Sequence, residues 1–332
     1  MIKYLSANVI GLNLLFSASG AAAIDNSSPY TTANRSPVIQ VYGLPAASSA
    51  ELSSAGRFRA SLMAEASSNF VSDSNSSETI LLDGESYRST VSWHYGLSEK
   101  WQLSTSVPFI SHQAGGLDSF IEDFHSTFGL PNGNRQKFPR EQLQYSYSQN
   151  GEQLLLMENN AEGMGDIQLG LAYQLYRQPG KALAFELGYK LASGDESVLH
   201  GSGAEDAYAR LQYSDSESLA AAKLSLHASA GVLRLGKGEV IASQQKSTVS
   251  FASLTVSWAY TDNISLKAQL DGHTAFYDSK LDVLGDASVQ AIIGIAFKLN
   301  EQLALDVSLS EDLAPETAPD VVFQLGLKLA EW

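Results

Sequence analysis

Cysteine is absent from the 332 residues. That excludes disulfides, thiolate metal centres and cysteine nucleophiles. Charge is scarce as well, at 17% of residues, where soluble globular chains run near about a quarter. Positive charge is scarcest: 21 Lys and Arg stand against 36 Asp and Glu, for a net charge of -15. Duplex nucleic acid needs a basic face, so it is not an expected partner. Beyond the N-terminus no window approaches the roughly 20 consecutive apolar residues of a spanning helix. Walker and dinucleotide-binding glycine motifs are missing too. What is present is 44% hydrophobic residues, enough for a core, so the chain is not a disordered polyelectrolyte.

Residues 1–23 have the three parts of a secretory signal. Lys3 is the positive start, Val9, Ile10, Leu12, Leu14, Leu15 and Phe16 the apolar centre, and Ala21-Ala22-Ala23 the small-residue cleavage site before Ile24. No cysteine follows, so a lipoprotein anchor is excluded. Loss of Lys3 makes the mature chain one unit more negative.

The rest of the chain alternates. Val321, Phe323, Leu325, Leu327 and Leu329 oppose Gln324, Gly326 and Lys328; Val289, Ala291, Ile293, Ile295, Phe297 and Leu299 oppose Ser288, Gln290, Gly294 and Lys298. Residues 302–310 and 166–175 repeat the pattern. A period of two is that of a strand with two unlike faces. Twelve strands are predicted, near 56–70, 80–96, 101–110, 165–176, 182–192, 205–214, 219–234, 247–260, 264–271, 287–299, 303–310 and 320–331. The segments 205–214 and 264–271 carry the weakest pattern and leave ten or fourteen open. Short turns at 97–100, 178–181, 215–217, 261–263 and 300–302 alternate with longer polar loops at 72–79, 111–164, 194–204, 235–246, 272–286 and 311–319.

This asymmetry implies an all-β fold, a transmembrane antiparallel up-and-down barrel of the bacterial outer membrane. Trp93, Tyr95, Trp101, Tyr173, Tyr176, Trp258, Tyr260 and Trp332 sit beside the short turns, where interfacial aromatics belong. A soluble β-sandwich would explain neither the loop asymmetry nor the signal. The implied layout is a signal at 1–23, a periplasmic or plug segment at 24–50 and a barrel at 51–332.

Several stretches carry a family resemblance. They are Asn34-Arg35-Ser36-Pro37 to Tyr42-Gly43-Leu44-Pro45, Trp93-His94-Tyr95-Gly96-Leu97 with Trp101 and Val107-Pro108-Phe109, and Asp118 to Phe124-His125. Phe128-Gly129-Leu130-Pro131 with Arg135, Gly163-Met164-Gly165-Asp166 and Lys190-Leu191-Ala192-Ser193-Gly194-Asp195 continue it. Together they make the chain resemble a domain-of-unknown-function family of proteobacterial outer-membrane β-barrels. One feature departs from such barrels: Trp332 falls out of phase with the outward Leu325, Leu327 and Leu329, unless a bulge restores it.

In the long extracellular loop, Leu117, Phe120, Ile121, Phe124 and Phe128 predict a short helix near 119–128. A hairpin is predicted at 143–148 and 152–157 around Asn150-Gly151. Asp118, Glu122 and His125 fall within two helical turns, as an acid/base pair or hard metal ligands would, or as a solvated polar face. Arg135, Lys137 and Arg140 suit lipopolysaccharide phosphate. The six histidines and many serines follow no pattern of a barrel phospholipase or protease, so a lipid-active enzyme is the minority reading.

Strand phase assigns Arg57, Arg59, Arg88, Lys190, Arg210, Lys223, Lys267, Lys298 and Lys328 to the lumen, with Glu65, Asp166, Glu186, Asp271 and Asp306 as its acids. The expected lumen is net basic, either an anion path or a set of cross-strand pairs filling a closed bore. The expected role is passive transport of a small polar solute, an anionic one where the basic lumen is open; a structural barrel with a plugged lumen is the alternative. The expected partners are outer-membrane lipid, lipopolysaccharide and the solute, with no cofactor or metal, for a monomer. N-terminal sequencing of the membrane-bound protein is expected to begin at Ile24, and the chain to fractionate with outer membrane; Met1 at the start would refute this.

Overall fold

The computed structural model describes residues 25–116, 141–313 and 317–332. The predicted signal at 1–23, the helix near 119–128, and Asp118, Glu122, His125, Arg135, Lys137 and Arg140 lie outside them or, for the last, at their edge among the undescribed residues.

Fifteen strands join one sheet. They are β1 (Phe58–Ser74), β2 (Glu78–Ser98), β3 (Trp101–Gln113), β4 (Gln144–Gln149), β5 (Glu152–Met157), β6 (Ala161–Met164), β7 (Gln168–Gln178) and β8 (Lys181–Lys190). Then follow β9 (Asp206–Asp215), β10 (Leu224–Arg234), β11 (Thr248–Ala259), β12 (Ile264–His273), β13 (Ser288–Lys298), β14 (Leu303–Asp312) and β15 (Val321–Leu329). Twelve of them, β1 to β3 and β7 to β15, form a closed antiparallel ring, because β1 pairs with both β2 and β15. This is the architecture of outer-membrane barrels. Closure leaves the ring without an edge strand, which is what lets a sheet stand in lipid.

Side chains alternate around the ring. Leu62, Leu103, Leu169, Leu187, Leu211, Leu254, Leu266, Val307 and Leu325 are exposed outward, while Glu65, Gln102, Gln174, Glu186, Gln269 and Asp306 are buried inward. An apolar outer belt over a polar interior inverts the soluble pattern and matches a bilayer-spanning barrel. Aromatic residues gather where the strands meet the short turns: the Trp101 and Tyr173 rings lie 4.7 Å apart, and Phe58 and Tyr95 4.4 Å apart.

The long-loop end differs from expectation in one respect. Residues 72–79 are not a long loop; β1 and β2 continue past the ring and reverse over Asn75–Ser77. There β4 covers β2 through Glu78↔Gln149 to Asp83↔Gln144, and β5 pairs with β4. The β4–β5 turn has φ of 50° at Asn150 and 81° at Gly151. Positive values at both central residues are what a two-residue hairpin turn with the strands' own twist requires. A one-turn helix α1 (Asp282–Gly285) lies in the β12–β13 loop.

The C-terminus resolves the phase of Trp332. In the β1–β15 register Ala60 faces Leu329, so Phe58 would face Glu331. Instead the Phe58 and Trp332 backbones exchange hydrogen bonds of 3.1 Å in both directions. The chain has slipped by one residue, as a bulge does. The Trp332 ring stacks beside the outward Phe58 ring, with centroids 6.2 Å apart, and Glu331 turns to Arg59 at 3.5 Å.

The phase of the ring is testable. Leu171 and Ile293, 37% and 54% exposed, face outward, and arginine at the midplane of a barrel costs roughly 2–4 kcal/mol. Leu171→Arg and Ile293→Arg are expected to lower folding yield in a heat-modifiability assay, and Gln168→Arg on the inner face to leave it near wild type. Equal yields would reject the assignment.

Candidate functional site

The barrel interior is occupied by the chain's own residues 25–54, here termed the strap. Its course follows from its contacts. Ser28 and Pro29 accept from Lys328, near the short turns; Tyr30 meets Gln269; Thr32 meets Glu65; and Asn34 reaches His273 at the long-loop end of β12. Ser36 to Gln40 turn the chain round, with Ile39 N and Gln40 N donating to Ser36 O at 2.9 Å. The return limb passes Asp206 at Gly43, Arg210 at Ala46, Ser214 at Ala50 and Gln102 at Ser53 before entering β1.

Wall side chains supply hydrogen bonds that a sheet would otherwise give. Gln269 accepts from Tyr30 N at 2.9 Å and donates to Tyr30 O at 3.2 Å. Gln174 accepts from Leu52 N at 3.3 Å and donates to Ala50 O at 3.0 Å. A carboxamide holds one donor group and one acceptor, so it can satisfy both backbone groups of a passing chain.

Most of the interior charges are matched. Lys267 and Lys328 each lie 2.8 Å from Asp306. Both also donate to strap carbonyls, and Lys267 sits 4.2 Å from the centre of the Tyr30 ring. Arg210 pairs with Glu186 at 2.7 Å while donating to Ala46 O and Ser48 Oγ. Lys190 meets Asp166 directly and Asp206 at 3.6 Å. Arg59 donates to Glu51 O and Ser53 Oγ. Glu65 is held by Arg35 of the strap at 2.8 Å, and Asp271 accepts from Gln269. Tyr208 crosses the inner face over Gly188, where an added Cβ would stand 2.0 Å from the ring, and donates to Glu186.

Three assignments change. Lys223 is not on a strand; it is exposed after the 3-10 turn Ala220–Ala222, where three alanines favour a turn of helix over an extended chain. Lys298 ends β13 and pairs with Glu301 of the short turn at 3.0 Å. Arg57 stands one residue ahead of β1, half-buried. The expected net basic interior is also offset by Asp206, which shares Lys190 with Asp166. Sequence reasoning passed over Asp206, Arg35, Gln102, Gln174 and Gln269; inward glutamine at mid-strand was the available sign.

At the long-loop end the strap apex plugs into an apolar cluster. Val38, Ile39, Val41 and Tyr42 pack with Tyr145, Tyr147, Val240, Ile241, Phe276, Tyr277 and Leu281. Tyr42 stacks on Phe276 at 5.0 Å, and Tyr277 donates to Val38 O at 2.7 Å. Burial pushes both phenols above their ordinary range, Tyr42 and Tyr277 alike, so they stay neutral hydrogen-bonding groups.

Beside the strap, space remains. A cavity of about 220 Å³ opens near the short turns between the two limbs, touched by Asp25, Glu51, Arg59, Gln102 and Lys328. A second, of about 100 Å³, lies deeper against β2, β3, β7, β8 and β9, touched by Arg88, Thr90, Ser106, Gln168 and Arg210. Thr31, Ser48, His94 and Glu186 line both, so the two cavities adjoin. Two Ser–His contacts, Ser86 with His112 at 2.8 Å and Ser214 with His227 at 2.9 Å, are buried inside the barrel and not on its lipid side.

Among solved structures the chain is similar to an outer membrane channel from Pseudomonas putida F1. The identity is 13%, over 84% of this chain and 96% of that one, with a TM-score of 0.54. It is also similar to the NanC porin, at 6% identity over 82% and 98% of the two chains and a TM-score of 0.46. The Pseudomonas putida toluene transporter TodX matches at 10% identity over 94% and 96%, with a TM-score of 0.38. Such identities concern the fold. No curated protein matches. The sequence profile of the proteins of unknown function DUF3187 covers residues 9–330, and the chain belongs to that family.

Proposed function

We propose that the protein is a passive channel of the outer membrane for a small polar solute, with the strap as an internal constriction. The observation that carries this is the pair of adjoining cavities beside the strap, which together extend from the short-turn end to mid-barrel. The apolar outer belt and aromatic girdle suit a lipid bilayer, and the similar barrel from Pseudomonas putida F1 is an outer membrane channel. A barrel built for charge pairing alone would gain nothing from leaving such cavities unfilled. Lys190 and Lys267 are not free to set a selectivity in this reading, because each is held in an ion pair with a wall carboxylate.

The structural barrel is the second reading, favoured by the apolar cluster that seals the strap apex. One experiment separates the two. Purified protein in planar bilayers is expected to show small conductance steps, and deletion of residues 31–48 to enlarge them several-fold, since much of the bore is then vacated. Absence of conductance in both proteins would leave the structural reading.

A further inference from the structure

Among the described residues Arg88 has no carboxylate at ion-pair distance; Glu65, opposite it in the sheet, is taken by Arg35. Arg88 exposes 8% of its surface. Its Nε donates to Thr90 Oγ1 at 3.3 Å, and among the described residues Nη1 has no partner. A buried guanidinium with an open donor is costly, and the cost is offset when an anion meets it. Arg88 lines the deeper cavity, together with Thr90, Ser92, Ser104, Ser106 and Gln168. The other charges there are committed: Asp166 to Lys190, Glu186 to Arg210 and Arg35 to Glu65.

We propose that this cavity is a binding site for a small hydroxylated monocarboxylate. The carboxylate meets the Arg88 guanidinium, a planar cation that suits a carboxylate. The solute's hydroxyls meet the serine and threonine side chains and Gln168. One uncommitted positive charge calls for one negative charge; Asp166 and Glu186 on the same wall repel a second. The wider cavity toward the short turns receives the rest of the solute and gives it a way in. As a solute class this rests on the transport reading, whereas binding itself is measured apart from it.

The purified mature protein is titrated by calorimetry with sodium gluconate and, separately, with sorbitol, an uncharged polyol of equal carbon number. Saturable gluconate binding is expected, with none for sorbitol. Arg88→Gln, shown to be folded by heat-modifiable migration, is expected to weaken gluconate by roughly tenfold or more, the usual worth of a hydrogen bond to a charged group. Arg88→Lys keeps the charge without the planar guanidinium; it is expected to lose several-fold and serves where Arg88→Gln does not fold. Lack of gluconate binding, equal affinity in wild type and Arg88→Gln, or sorbitol binding as tightly as gluconate overturns the site. Conductance of the same preparations separates the two proposals. Arg88-dependent binding without conductance keeps the site and removes transport; conductance with binding indifferent to Arg88 keeps transport and removes the site.

Discussion

A polypeptide that lies inside a barrel must have its backbone groups satisfied by side chains, because the wall's own backbone is spent on the sheet. Every buried N–H and C=O without a partner costs about 1–3 kcal/mol. The inner wall is arranged around that requirement. Glutamines stand where the strap runs extended, and Lys267, Lys328, Arg59 and Arg210 spend donors on its carbonyls. The cations thus have two duties, one toward carboxylates of the wall and one toward the strap. This accounts for an interior rich in basic residues within a protein of net charge -15.

The two ends of the interior differ in kind. Toward the short turns the strap limbs are separated by a polar cavity and held by charged groups. Toward the long loops the apex is buried in aromatic and aliphatic side chains. Hydrophobic packing is non-directional, and charge-assisted hydrogen bonding is not. The apex is therefore anchored by area, and the limbs are positioned by specific pairs.

The ring was legible because each of its strands has one lipid face and one interior face, and a period of two reports that contrast. The signal fails where the contrast fails. From Ser67 to Val71 and from Leu82 to Ser86 every residue is buried, so parity there carries no contrast between two faces. The far ends of β1 and β2 read as a loop for another reason: residues 72–79 are polar throughout and offer no apolar side chain to mark a face. The alternating pattern was likewise carried too far at 219–223, where a 3-10 turn precedes β10. Strand parity indicates the side on which a cation lies, but not its partner. Arg35 reaches Glu65, and Lys267 reaches Ser28, across separations that no local pattern encodes. The open donor of Arg88 is a difference between neighbours in space and has no counterpart in sequence.

The one-residue slip before Trp332 ties two surfaces to a single count. Because of it the last aromatic ring lies beside Phe58 on the outside, while Glu331 accepts from Ser54 N and faces Arg59 on the inside. Without the slip, regular alternation beyond Leu329 would exchange these faces, turning the Glu331 carboxylate toward lipid and the Trp332 indole toward the strap. The slip is thus as much a determinant of the seam as the residues in it, and the seam cannot be altered at its outer face without unfastening the strap at its inner one.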